Sequence, residues 1–98
     1  MFNKMKQLME MQKKMQEMKQ KLDATNFEIS SSDGLVKITM NGTQEVKGIT
    51  VKDNLTEAEQ AHLEGALKDT FNRSIKRSQE IATQKMREVT GINMPGLT

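Results

Sequence analysis

Phe27-Glu28-Ile29-Ser30-Ser31-Ser32-Asp33-Gly34-Leu35-Val36-Lys37-Ile38-Thr39-Met40-Asn41-Gly42-Thr43-Gln44-Glu45-Val46-Lys47-Gly48-Ile49-Thr50-Val51 holds three apolar runs, the first two with a period of two. Phe27 and Ile29 alternate with Glu28 and Ser30, and Val36, Ile38 and Met40 alternate with Lys37 and Thr39, as in strands with one wet face. Ser31-Ser32-Asp33-Gly34 reads as a turn between them. Asn41-Gly42, two residues that tolerate positive φ, signals a hairpin into a third strand holding Val46, Ile49 and Val51. That strand breaks the alternation, because Val46 and Ile49 are three apart. One extra residue near Lys47-Gly48 sets Val46, Ile49 and Val51 opposite Met40, Ile38 and Val36 and turns them to the core. This predicts a β-bulge, with Gly48 supplying the permissive backbone. A strict two-residue loop would instead set Ile38 opposite Glu45; the bulge is the preferred arrangement.

Upstream, residues 3 to about 24 are nearly all Lys, Gln, Glu, Met and Leu, the unbranched residues that favour helix. Leu8, Met11, Met15, Met18 and Leu22 are spaced 3, 4, 3, 4, a heptad seam in which Met1, Leu8, Met15 and Leu22 share position a. Met5 and Met9 widen the stripe at its N-terminal end. Glu10 with Lys14 and Glu17 with Lys21 form i,i+4 pairs in the favoured order, about 0.3 kcal/mol each.

Downstream, Asp53 and Asn54 end the sheet. Thr56 with Glu59 three residues later is a capping box, which predicts a helix from about Glu57. Its stripe runs Leu63, Leu67, Phe71, Ile75, Ser78, Ala82, Met86 and Val89, with Ile81 flanking, and carries the helix to about Thr90. Gly65 interrupts it at a cost of about 1 kcal/mol. Gly91 is a candidate C′ residue.

The order is therefore helix, three-stranded antiparallel sheet, long helix (α-β-β-β-α), an α+β fold. Residues 1–90 make one domain and residues 91–98 a flexible tail. Two long apolar seams beside a small sheet need more surface to bury. Leu, Ile, Val and Phe make only 20 of 98 residues, so the expectation is a homodimer with projecting helices. Leu8, Met11, Met15, Met18 and Leu22 are the candidate dimer seam. The Met-rich stripe could instead be an adaptable binding groove, but a core or dimer seam is the commoner use of Met at helical spacing and the preferred reading.

The same composition excludes several functions. There is no Cys, which removes disulfides, thiolate nucleophiles and Cys-based zinc sites. Charges recur every few residues up to Glu88, and no run approaches the roughly 20 apolar residues of a membrane span. Nothing in the first residues resembles a signal-peptide core, so a cytosolic location is the default. The single His, His62, sits among Glu57, Glu59 and Glu64 and reads as an ordinary surface or boundary residue. No nucleophile–base constellation is present, so no enzyme, cofactor, metal site or small-molecule substrate is expected.

Charge is unevenly placed although the net is only +2. Residues 1–22 carry net +4 and residues 73–88 net +3, with acidic excess between. Lys6 and Lys13 point away from the seam of the first helix and Lys14 lies beside it. Arg73, Lys76 and Arg77 flank the stripe of the last helix. These six are the candidate phosphate contacts, since a basic surface gains by releasing counterions from a polyanion. A bland alternative is that the helices merely solvate themselves. The few aromatics lie on apolar faces, and no helix-turn-helix or zinc-finger spacing appears. Duplex binding through the backbone, with weak sequence preference, is what remains.

The chain resembles the YbaB/EbfC family of small bacterial nucleoid-associated proteins over nearly its whole length. The likeness rests on the Met/Gln/Lys-rich first helix, Gly34-Leu35-Val36-Lys37-Ile38-Thr39-Met40-Asn41-Gly42, Glu45-Val46-Lys47 and Ile49-Thr50-Val51. Leu63, Phe71-Asn72, Met86 and the Gly91…Pro95-Gly96-Leu97 ending add to it. It departs from common members at Ser31-Ser32-Asp33 and at Thr70, Arg73 and Ser74. The resemblance implies a homodimer joined largely through its sheets, helices projecting like tweezers, double-stranded DNA as partner and a place on the bacterial nucleoid. The rival expectation is a prefoldin-like holdase that uses its Met-lined helices to clamp unfolded chains.

Overall fold

The computed structural model describes residues 2–90. Helix α1 (Phe2–Ala24) passes through Thr25 into β1 (Asn26–Ser30), β2 (Val36–Asn41) and β3 (Val46–Val51), and α2 (Glu57–Thr90) comes last. Met1, the Gly91 cap and the 91–98 tail lie outside the described residues.

The strands make an antiparallel meander in the order β1-β2-β3. Phe27 pairs with Met40 and Ile29 with Ile38 on one side of β2; on the other, Val36 pairs with Val51, Ile38 with Ile49 and Met40 with Val46. The register slips between Thr39 and Met40, which leaves Lys47 as the bulged residue. Gly48 is not what permits this, because its φ is not positive and a Cβ there would meet nothing within 4 Å.

The β2–β3 hairpin is built differently from the Asn41-Gly42 expectation. Neither residue has positive φ; Gln44 does, at 65°. The amide of Gln44 donates to the Asn41 carbonyl (3.2 Å) and the Asn41 amide to the Glu45 carbonyl (3.1 Å), a turn closed by one left-handed residue. Gly42 is needed for proximity instead. A Cβ on it would lie 2.8 Å from Leu22 Cδ2 and 3.1 Å from the Leu22 carbonyl oxygen, to which the Gly42 amide donates at 3.0 Å. Leu22 is thereby buried inside its own chain.

Helix α2 begins at the expected capping box. The Glu59 amide donates to Thr56 Oγ1 (3.1 Å) and the Thr56 amide to Glu59 Oε1 (3.0 Å). Its buried face is rotated from the expected stripe: Thr70, Ser74, Ser78 and Ile81 are buried, while Phe71 is 39% exposed. Small side chains at steps of four let the helix lie close to the strands. Ser78 Oγ donates to the Asn41 carbonyl at 2.9 Å. Leu35, Val36 and Ile38 form the core beneath Leu55, Leu63, Ala66 and Leu67.

One helix does not cover three strands. Val36, Ile38 and Met40 are buried, but Val46, Ile49 and Val51, on the same face by their pairing, are 41%, 52% and 37% exposed. The expectation that this row faces the core is corrected: its register is right and its cover is missing within the chain. The radius of gyration, 18.4 Å, exceeds the ~13 Å of a compact 100-residue domain. Helices that run past the sheet account for the difference.

Candidate nucleic-acid interface

The overhang is a two-helix arm. At its root, Asn41 Nδ2 donates to the Asp23 carbonyl of α1 (3.3 Å) while the Asn41 carbonyl accepts from Ser78 of α2. Farther out, Met11, Met15 and Met18 face Met86 and Val89 across a cleft of about 410 Å³. The two helices therefore run antiparallel. From Leu22 outward α1 extends about 30 Å, and from Ser78 outward α2 extends about 18 Å, at 1.5 Å per residue. Met5, Leu8 and Met9, near the outer end, are 63–67% exposed.

The cations divide into two electrostatic kinds. Lys4, Lys6, Lys13, Lys14, Lys19 and Lys21 of α1 are exposed and make no ion pair among the described residues. The expected Glu10–Lys14 and Glu17–Lys21 contacts are not formed, because long exposed side chains gain little from pairing in water. On α2, Arg73 Nε lies 3.1 Å from Asp69 Oδ2, and its Nη2 donates to the Ser30 carbonyl at 3.0 Å. Arg77 lies 3.5 Å from Glu80 and Lys85 3.6 Å from Glu88. Lys76 is exposed and has no ion-pair partner among the described residues.

The two candidate groups are staggered along the molecule. Taking Leu22 and Ser78 as level, Lys14 and Arg77 are separated by about 13 Å along the helix axes, and Lys6 and Arg73 by about 30 Å. They are spread along the length of one protomer and do not make one compact patch. Of the candidate seam residues, Leu8, Met11 and Met15 are 63%, 61% and 58% exposed, Met18 is half-buried, and Leu22 is enclosed by the hairpin. The exposed β3 row was the feature sequence reasoning missed. Counting eight apolar strand residues against a single covering helix could have found it.

Other polar groups serve the fold. The Ser31 hydroxyl and the Leu35 amide, at 3.1 Å from Oδ1, hold the Asp33 carboxyl below its ordinary value. Lys52 and then the Thr56 amide lower that of Glu59 in the same way. His62 is exposed, as expected. Among the described residues, no group of three or more His, Cys, Asp or Glu could hold a metal ion, and no helix is long and apolar enough to cross a membrane.

Residues 1–93 match the model of the YbaB/EbfC DNA-binding family. A protein of Syntrophobacter fumaroxidans named nucleoid-associated protein is 34% identical over 98 positions, covering 98% of this chain and 89% of that one. The crystal structure of an uncharacterized Helicobacter pylori protein superposes with a TM-score of 0.69 at 25% identity, over 82% of this chain and 86% of the other.

Proposed function

The chain belongs to the YbaB/EbfC DNA-binding family, and from that membership we propose that it grips duplex DNA as a homodimer, with little sequence preference, at the nucleoid. The unpaired lysines of α1 carry this reading. Six cations on one projecting helix are free of acids among the described residues, so each can neutralise a phosphate and release a counterion. Lys6, Lys13 and Lys14 act at full strength, with Lys76. Arg73 and Arg77 exchange an exposed carboxylate for a phosphate, which adds less.

A second copy supplies what a single arm lacks. The uncovered row of Val46, Ile49 and Val51 on the free edge strand β3 is apolar surface that a symmetric contact would bury. Joining two copies there pairs two arms around one polyanion. With its candidate cations exposed on helix surfaces, the chain is read as acting by binding.

The test is a gel shift with random-sequence duplex at two salt concentrations. Lys13→Gln/Lys14→Gln/Arg73→Gln/Arg77→Gln weakens binding to every duplex and flattens the salt dependence, by up to ~0.9 in slope for each phosphate no longer neutralised. Unchanged affinity and slope would place DNA elsewhere. The exposed Met5, Leu8 and Met9 favour a second reading, a holdase for unfolded chains. Suppressed aggregation of a denatured client, with no gel shift, is the result that selects it.

A further inference from the structure

Among the described residues, four of the five apolar side chains that line the cleft between the arm helices are methionines: Met11, Met15 and Met18 of α1 and Met86 of α2, with Val89 as the fifth. The contact that closes the outer arm therefore runs mainly through thioethers. Met11 and Met15 are nonetheless 61% and 58% exposed, whereas Met40 of the sheet is fully enclosed. The chain has no cysteine, so thioethers are its only sulfur groups. Side chains that hold the arm closed are thus open to an oxidant in solution. Leucine would fill the same cleft without that liability.

We propose that Met11 and Met15 form a reversible oxidation site, at which a hydroperoxide converts thioether to sulfoxide and so releases the outer part of α1 from α2. A sulfur lone pair takes one peroxide oxygen as the O–O bond breaks. The departing hydroxide takes up a proton and the hydroxysulfonium loses its own, so hydrogen peroxide yields one sulfoxide and one water. The thioether is oxidised by two electrons and the peroxide reduced by two. Lys14 stands one helical turn from both Met11 and Met18 and lines the same cleft. Its ammonium is placed to give the departing hydroxide a proton. Lys19 has the same spacing from Met15.

The sulfoxide is polar and chiral where the thioether was apolar. Its oxygen needs a hydrogen-bond donor, and the side chains of Met86 and Val89 opposite carry none. Turning that oxygen to water or to Lys14 takes the side chain out of the cleft. At its inner end α1 stays anchored, where Leu22 packs on Gly42 and the Asp23 carbonyl accepts from Asn41. The outer end then swings free. The consequence for DNA rests on the reading of α1 as a gripping helix: a loosened α1 no longer holds its lysines at a fixed position relative to α2.

The test treats the full-length protein with hydrogen peroxide and maps the mass of its peptides. Met11 and Met15 should gain oxygen about tenfold faster than Met40. Amide hydrogen exchange over residues 7–18 should then speed about tenfold. The two stereospecific methionine sulfoxide reductases should restore slow exchange, a reversal that needs no variant. Met11→Leu/Met15→Leu/Met18→Leu keeps the apolar volume without the sulfur, and its exchange should not respond to peroxide although Met5 and Met9 still oxidise. Oxidation of Met40 as fast as Met11, exchange unchanged once Met11 and Met15 are oxidised, or an equal response from the leucine variant overturns the proposal. Gel shifts on the same samples should show DNA binding weakened about fivefold by oxidation; unchanged affinity overturns the link to DNA. A protein that binds no DNA before treatment refutes the DNA reading alone, because hydrogen exchange decides the oxidation site independently.

Discussion

Asn41 works through its amide, with the backbone in ordinary strand geometry. Its Oδ1 accepts from the amides of Thr43 (3.1 Å) and Glu45 (3.0 Å) and from Thr43 Oγ1 (2.9 Å), while Nδ2 reaches the end of α1 and Glu45 Oε1. Asn41→Ala strands those two turn amides without a partner and should cost about 2–4 kcal/mol in urea unfolding. Its neighbours separate space from backbone strain. Gly42→Ala forces a methyl against Leu22 and should cost about 1–3 kcal/mol. Gln44→Gly relieves a left-handed residue and should gain up to about 1 kcal/mol. If Gly42→Ala were neutral, the close docking of α1 on the hairpin would be wrong.

At the scale of the element, α2 has one weak point and one pH-sensitive end. A Cβ at Gly65 meets nothing within 4 Å on an exposed face. Gly65→Ala should therefore stabilise by about 1 kcal/mol and raise Tm by roughly 4–8 °C in calorimetry. At the start of the helix, Lys52 and the Thr56 amide hold the Glu59 carboxyl below its ordinary value. A lowered folded-state pKa means the contribution is complete above the range where an unfolded glutamate titrates. It is lost as pH falls through the folded value. Glu59→Gln keeps an acceptor for Thr56 but loses the charge facing Lys52. Its Tm should lie below that of the parent at neutral pH, and the gap should close as both are acidified; a constant gap would refute the assignment.

The whole molecule is two helices overhanging a sheet too wide for them. If β3 is where copies meet, Ile49→Glu/Val51→Glu should give monomers by sedimentation at micromolar concentration. Each protomer would stay folded, since neither side chain belongs to the buried core. Loss of the dimer should weaken DNA binding beyond the effect of two added charges per site, because two arms held on one duplex act at high effective concentration. Lys13→Gln/Lys14→Gln should likewise reduce the salt slope more than Arg73→Gln/Arg77→Gln, because the arginines already face Asp69 and Glu80. Equal losses would show that intramolecular pairing does not set the strength of these contacts.

The sequence alone determined the elements, their order and even the register of β3. Helix periodicity, the Thr56–Glu59 cap and the three-residue step from Val46 to Ile49 are properties of neighbours along the chain. The family likeness was legible for the same reason, in contiguous runs such as residues 34–42. Only the tertiary structure decided which of those faces is covered. That Leu22 belongs to the hairpin, that Ile49 is bare, and that among the described residues the α1 lysines lack acid partners while Arg73 and Arg77 of α2 have them depends on how closely remote segments approach. Steric fit and solvent screening set those distances, and neither has a period that can be read along the chain.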